Sequence, residues 1–170
     1  MGICSASSQT LLPYTREQVY AFVTNPHNWP LTYKGSGGIQ QKDLKLPLTL
    51  GSQWTEKVAL ENNTYYAKWT LITAIEPWKW SFLQENGIGA TDEAITDGVD
   101  GTTVIEYVFQ KAEMEVGGTK KEACIFKRTL SIDLPRNGTL PEDLLAVCMK
   151  TAGIEGYHDA VARELKKIHG

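Results

Sequence analysis

Residues 51–84 read GSQWTEKVALENNTYYAKWTLITAIEPWKWSFLQ, and the alternation within this run decides the fold. Trp54, Glu56, Val58 and Leu60 occupy every second position, with Thr55, Lys57 and Ala59 between them. That is the period of a β-strand with one face turned to a core. Asn62-Asn63 makes a tight turn, after which Tyr65, Ala67, Trp69 and Leu71 alternate with Tyr66, Lys68 and Thr70. Glu76-Pro77 interrupts the chain again, and Trp78, Trp80, Phe82 and Gln84 then share a face. Three strands joined by short turns must pair antiparallel.

Outward from this run the pattern continues. Candidate strands are 38–44, 52–61, 64–76, 78–86, 102–115 and 120–134, with Gly117-Gly118 as a further hairpin turn. Ile105, Tyr107 and Phe109 share one face of the fifth, and Cys124, Phe126, Arg128, Leu130 and Ile132 one face of the sixth. Upstream, residues 3–12 read as a strand. Thr15 and Gln18 then form a T-x-x-Q capping box at the head of a helix whose stripe is Val19, Phe22 and Val23. That helix fails at Asn25-Pro26. A second helical turn is expected between His27 and Tyr33, before Gly35-Ser36-Gly37-Gly38 breaks the chain. Residues 87–101 form an acidic, Gly-rich loop. Beyond Thr139 and Pro141 the chain is helical, and Ile154, Tyr157, Val161, Leu165 and Ile168 follow helical spacing.

The expected architecture is α+β, in one domain over 1–170. A curved antiparallel sheet of about seven strands wraps a long C-terminal helix, with two short helices after the first strand. Such a sheet leaves space for a ligand near the ends of the helix it grips.

Composition narrows the partners. The 170 residues carry 17 Lys and Arg against 20 Asp and Glu, a net charge of −3, so no basic surface for nucleic acid is expected. Cys4, Cys124 and Cys148 are odd in number and lack C-x-x-C spacing, which argues against a disulfide framework or a zinc site. Three scattered histidines give no metal-ligand spacing. The opening MGICSASSQT has neither a basic region nor an apolar core, and Ala6 stands where N-myristoylation needs Ser or Thr. No run is long and apolar enough to span a membrane, and a cytoplasmic location is expected. Five Trp and seven Tyr against four Phe favour rings with a polar tip, as a cavity with polar fittings would. The alternation gathers Trp54, Tyr65, Trp69, Trp78 and Trp80 around one such cavity.

Two opposite charges, Glu56 and Arg128, fall on otherwise apolar faces. A buried lone charge costs several kcal/mol, so each needs the other or a shared polar ligand, unless a bulge turns both outward. Within reach of each other, they make either a structural salt bridge or a catalytic pair. Tyr65 and Tyr107 offer phenols to a ligand or sit satisfied in the core. His158 offers a general base near neutral pH, but its place off the Ile154, Tyr157 and Val161 stripe favours a surface histidine. Cys124 fits a small core residue. Lys34 to Gly38 precede a strand rather than a helix, so they suit a lid or a connector, not a phosphate loop.

The segment Tyr14-Thr15-Arg16-Glu17-Gln18-Val19-Tyr20-Ala21-Phe22-Val23-Thr24-Asn25-Pro26-His27-Asn28-Trp29-Pro30 resembles the opening helix and turn of the SRPBCC superfamily, the START-like helix-grip fold. Gly51 to Val58 and Trp69 to Pro77 are similar to strands of its polyketide cyclase/dehydrase branch. The resemblance implies that Val19, Phe22 and Trp29 pack on the sheet. It also implies a small hydrophobic ligand, aromatic or polyketide-like, between sheet and terminal helix, with cyclisation, dehydration or hydrolysis as candidate reactions. A carrier or sensor and a co-chaperone-like interaction module are the alternatives. No Rieske motif is present, so neither cofactor nor metal is expected. The expected catalytic residues are Glu56, Arg128 and His158. The expected ligand-binding residues are Trp54, Tyr65, Trp69, Trp80, Phe82, Gln84, Tyr107, Phe126 and Tyr157. Monomer and homodimer both remain open.

Overall fold

The computed structural model describes residues 2–91, 97–149 and 151–170, with side chains at 4–91, 97–146 and 156–170. Its elements run β1 (Gly2–Leu12), α1 (Arg16–Val23), a 3₁₀ turn (Pro26–Asn28), α2 (Trp29–Thr32), β2 (Ser36–Ile39), β3 (Gln53–Ala59), β4 (Thr64–Ile75), β5 (Lys79–Gln84), β6 (Thr102–Val116), β7 (Thr119–Leu134), α3 (Glu142–Met149) and α4 (Thr151–His169). The seven strands form one antiparallel sheet in the order β1-β7-β6-β5-β4-β3-β2. The first strand thus closes against the last, and β1 and β2 are its edges. Sheet and helices make the curled α+β helix-grip architecture.

The capping box forms as the residues dictate. Gln18 N donates to Thr15 Oγ1 at 3.2 Å, and Thr15 N donates to Gln18 Oε1 at 2.9 Å. Helix α1 then buries Val19, Phe22 and Val23 against the sheet. Trp29 enters from α2 and stacks on Phe82, with ring centroids 5.1 Å apart. Trp54 and Trp80 stack at 5.8 Å, and Phe109 and Phe126 at 5.3 Å. Each such contact adds about 0.5–1.5 kcal/mol beyond the burial of area itself. Tyr157, Val161 and Leu165 turn from α4 into the same core.

Several expectations are corrected. Strand β2 covers only 36–39, because Gly38 takes a positive φ of 95° and the register shifts between Ser36 and Ile39. Trp78 is not inward: it sits in the turn before β5, 53% exposed, with the Arg16 guanidinium 3.5 Å over its ring. Ile168 does not complete the buried stripe of α4, being 60% exposed in its last turn. Ile154 falls outside the described side chains, as does Cys148, and part of the 87–101 loop lies outside the described residues.

Candidate functional site

A cavity of about 580 Å³ opens between the inner face of the sheet, the α2–β2 connection, α3 and α4. This lies within the usual range for small-molecule sites, roughly 300–1,000 Å³. Its walls are mostly apolar: Val58, Leu60, Ala67, Ile88, Ile105, Leu130 and Leu144, with the rings of Trp29, Trp69 and Phe82.

Strand alternation aims one polar group from each of several strands into this space. Glu56 of β3 is 4% exposed. Opposite it in the ladder is Ala67, and two residues along β4, on the same face, Trp69 Nε1 donates to Glu56 Oε2 at 3.1 Å. The other oxygen, Oε1, is buried with no hydrogen-bond partner. Burial pushes the Glu56 carboxyl up to about 7; hydrogen bonds from Ser36 and Trp69 and the charge of Arg128 only partly counteract it.

Arg128 of β7 faces Tyr107 of β6 directly across the ladder, and the neighbouring phenol favours the charged guanidinium. The guanidinium also lies 5.0 Å from the centroid of the Tyr157 ring on α4. Tyr157 Oη donates to Tyr107 Oη at 3.4 Å. Burial raises both phenols above their usual range, so they stay protonated donors. Glu56 and Arg128 therefore share one cavity, yet no ion pair within 4.0 Å joins them. The Nε of Arg128 and the Oγ1 of Thr103, another lining residue, are buried without partners.

At the other end, Tyr65 Oη donates to Asp143 Oδ1 at 2.9 Å and Asn63 Nδ2 donates to Asp143 Oδ2 at 2.6 Å. These bonds tie the β3–β4 hairpin to the first turn of α3. Gln84 Nε2 is engaged with Asn86 Oδ1 at 3.3 Å and the Gly87 carbonyl at 3.2 Å.

Of the expected site residues, Glu56, Arg128, Tyr65, Trp69, Phe82, Gln84, Tyr107 and Tyr157 line the cavity. Trp54, Trp80 and Phe126 do not; they are fully buried beneath the other rings. His158 also lies apart. It is buried between α4 and the sheet edge, with Nε2 2.6 Å from Ser8 Oγ of β1 and its ring edge-on to Phe126. Burial lowers its pKa, and its Nδ1 has no partner. Residues not expected at the site are Trp29, Tyr33, Thr103 and Asp143. Thr103 was readable, since it shares the parity of Ile105 and Tyr107. Asp143 carried no signal, because its position depends on where α3 docks. Lys34 and Gly35 do lie at the cavity, on the connection read as a lid or a connector. Among the described residues no group of three or more His, Cys, Asp or Glu is placed to hold a metal, and no helix is long and apolar enough to cross a membrane.

No protein-family model matches the sequence, and no curated protein matches it. Solved structures do match in shape. A START superfamily protein from Mycobacterium smegmatis is 9% identical, with a TM-score of 0.63, over 96% of this chain and 98% of that one. Ara h 8.0201 is 11% identical, with a TM-score of 0.61, over 98% and 99%. A point mutant of norcoclaurine synthase from Thalictrum flavum is 11% identical, with a TM-score of 0.61, over 99% and 98%. The class that fold and topology define is the SRPBCC-type, START-like helix-grip fold. At these identities the likeness is one of fold.

Proposed function

We propose that this protein binds a small hydrophobic molecule, aromatic or polyketide-like, in the cavity between the sheet and the terminal helix. One observation carries the proposal: a cavity of about 580 Å³ whose apolar walls converge on the Glu56, Arg128 and Tyr107 side chains. Apolar walls supply affinity and a few placed polar groups fix orientation. Trp69, Phe82 and Trp29 would flank the ligand rings, while Tyr107 and Arg128 meet its polar end. A co-chaperone-like module needs no cavity and gains no support from one this open.

A catalytic reading has one specific observation behind it. Glu56 is buried in the cavity with its pKa pushed up to about 7, suited to taking and returning a proton at neutral pH. Arg128 would then hold the carbonyl or enolate oxygen, and the apolar walls would orient a flexible substrate. The norcoclaurine synthase neighbour was solved with a transition-state analogue, so the same fold accommodates a catalytic site there.

Native mass spectrometry of the purified protein, followed by titration of its tryptophan fluorescence with N-phenyl-1-naphthylamine, tests binding. The expected result is a small-molecule adduct or saturable quenching at one site. A bare protein mass together with unchanged fluorescence overturns the proposal. Turnover lost in Glu56→Gln with binding retained separates enzyme from carrier.

A further inference from the structure

We propose that the ligand is a monoanion: a flat apolar body bearing one carboxylate, which sits on the guanidinium of Arg128. This rests on the binding function above and names the chemical class of its ligand.

The charges around the cavity point there. Among the described residues, the charged lining residues besides Arg128 and Glu56 are Lys34, Glu61 and Asp143. Lys34 and Glu61 are exposed, and both Asp143 oxygens are taken by Asn63 and Tyr65. Arg128 is thus the one cation of the cavity interior among the described residues. Among the described residues it has no carboxylate partner, although the half-exposed Lys79 finds Glu106 at 2.7 Å. Its neighbours are two neutral phenols, Tyr107 and Tyr157, which orient the guanidinium without neutralising it. A cation held in an apolar cavity without a counter-ion is costly, and an incoming anion relieves that cost. A carboxylate matches the fork of a guanidinium, and such charge-assisted bonds are the strong ones.

Glu56 does not supply the counter-ion. It shares the cavity with Arg128 and feels its charge, but it is held by Trp69 and lies beyond ion-pair reach of the guanidinium. The groups facing it are Ser36 of β2, Trp69 of β4, Tyr107 of β6 and Arg128 of β7, so Arg128 is the one charge among them. Burial favours its neutral form. With Glu56 protonated, the inner end of the cavity carries a single positive charge, and a monoanion is its complement. Raising the pH ionises Glu56, adds a competing negative charge and weakens the anion.

The test compares 2-naphthoate with 2-naphthamide, which share a ring system and differ in charge, by calorimetric titration of the full chain. N-phenyl-1-naphthylamine, neutral throughout, reports on the cavity itself. The expected result is naphthoate binding at least about tenfold tighter than naphthamide, the range of a charge-assisted hydrogen bond. That preference disappears in Arg128→Met and survives in part in Arg128→Lys. Naphthoate affinity falls from about pH 6 to about pH 8, and Glu56→Gln removes the fall. If N-phenyl-1-naphthylamine binds and the wild type shows no preference for naphthoate, the anion proposal is overturned and the hydrophobic cavity stands. Should no probe bind, both are overturned. If Arg128→Met does not fold, the wild-type preference and Arg128→Lys decide.

Discussion

Trp69 Nε1 donates to one oxygen of Glu56 at 3.1 Å, while the other oxygen is buried without a partner. A carboxylate held by so few donors is poorly compensated for its burial, and neutrality is its favoured state. That relationship gives Glu56 its own dependence of stability on pH.

The folded pKa of Glu56 is about 7, above its ordinary 4.5. Between those values the folded state holds a proton that the unfolded state releases. Stability contributed by Glu56 is therefore full below 4.5 and is lost as pH rises to about 7, by at most about 3 kcal/mol. His158 works in the opposite sense. Its pKa is lowered from 6.5 by burial, so its contribution is present above 6.5 and lost as pH falls below it. Glu56→Gln is expected to remove the first effect and leave the second. Urea unfolding across this window should show the variant gaining stability relative to wild type as pH rises. Parallel curves would count against a buried neutral Glu56.

Tryptophan fluorescence should divide by position. Trp69 and Trp29 line the cavity, Trp54 and Trp80 lie under other rings, and Trp78 is outside. Trp69→Phe is expected to lose much of the ligand-dependent quenching and Trp78→Phe to retain it. Steady-state titration with N-phenyl-1-naphthylamine measures both. Equal loss in the two variants would mean that the probe sits elsewhere.

The bond from Tyr65 to Asp143 holds the β3–β4 hairpin against α3 at the cavity mouth. Tyr65→Phe removes it and leaves the ring. The expected outcome is faster amide hydrogen exchange in the first turn of α3 and severalfold faster ligand release by stopped flow. Unchanged exchange in α3 would show that the helix is held by packing alone.

Gly87 and Gly98 approach each other back to back beside the bridge between Ile88 and Val99. A Cβ on Gly98 would run into the carbonyl carbon and oxygen of Gly87, against backbone that has no rotamer to yield. Gly98→Ala is expected to cost about 1–3 kcal/mol in thermal or urea unfolding and to weaken ligand binding by displacing Ile88. A neutral substitution would place no weight on this contact.

Much of this arrangement was legible in the sequence because a period of two leaves little choice. Alternation put Glu56, Trp69, Tyr107 and Arg128 on the apolar faces, and no bulge intervenes to turn Glu56 or Arg128 outward. Parity does not say which inward residues border empty space and which lie under a covering helix. Trp54 and Trp80 have the same parity as Glu56 and Phe82, yet Trp29 packs against both of them and they become core. His158 was read relative to one apolar stripe. Helix α4 lies close enough to β1 to bury a second face, which is a tertiary fact. Trp78 fitted the alternation by spacing, but the turn at Pro77 carries it out of the ladder.

The most direct test of the central claim is the solution NMR spectrum of the protein with N-phenyl-1-naphthylamine bound. The account predicts nuclear Overhauser contacts from the probe to Trp69, Phe82, Ile105 and Leu130, with shifts at Tyr107. Contacts confined to the outer face of the sheet or to exposed residues such as Leu50 and Trp78 would contradict it.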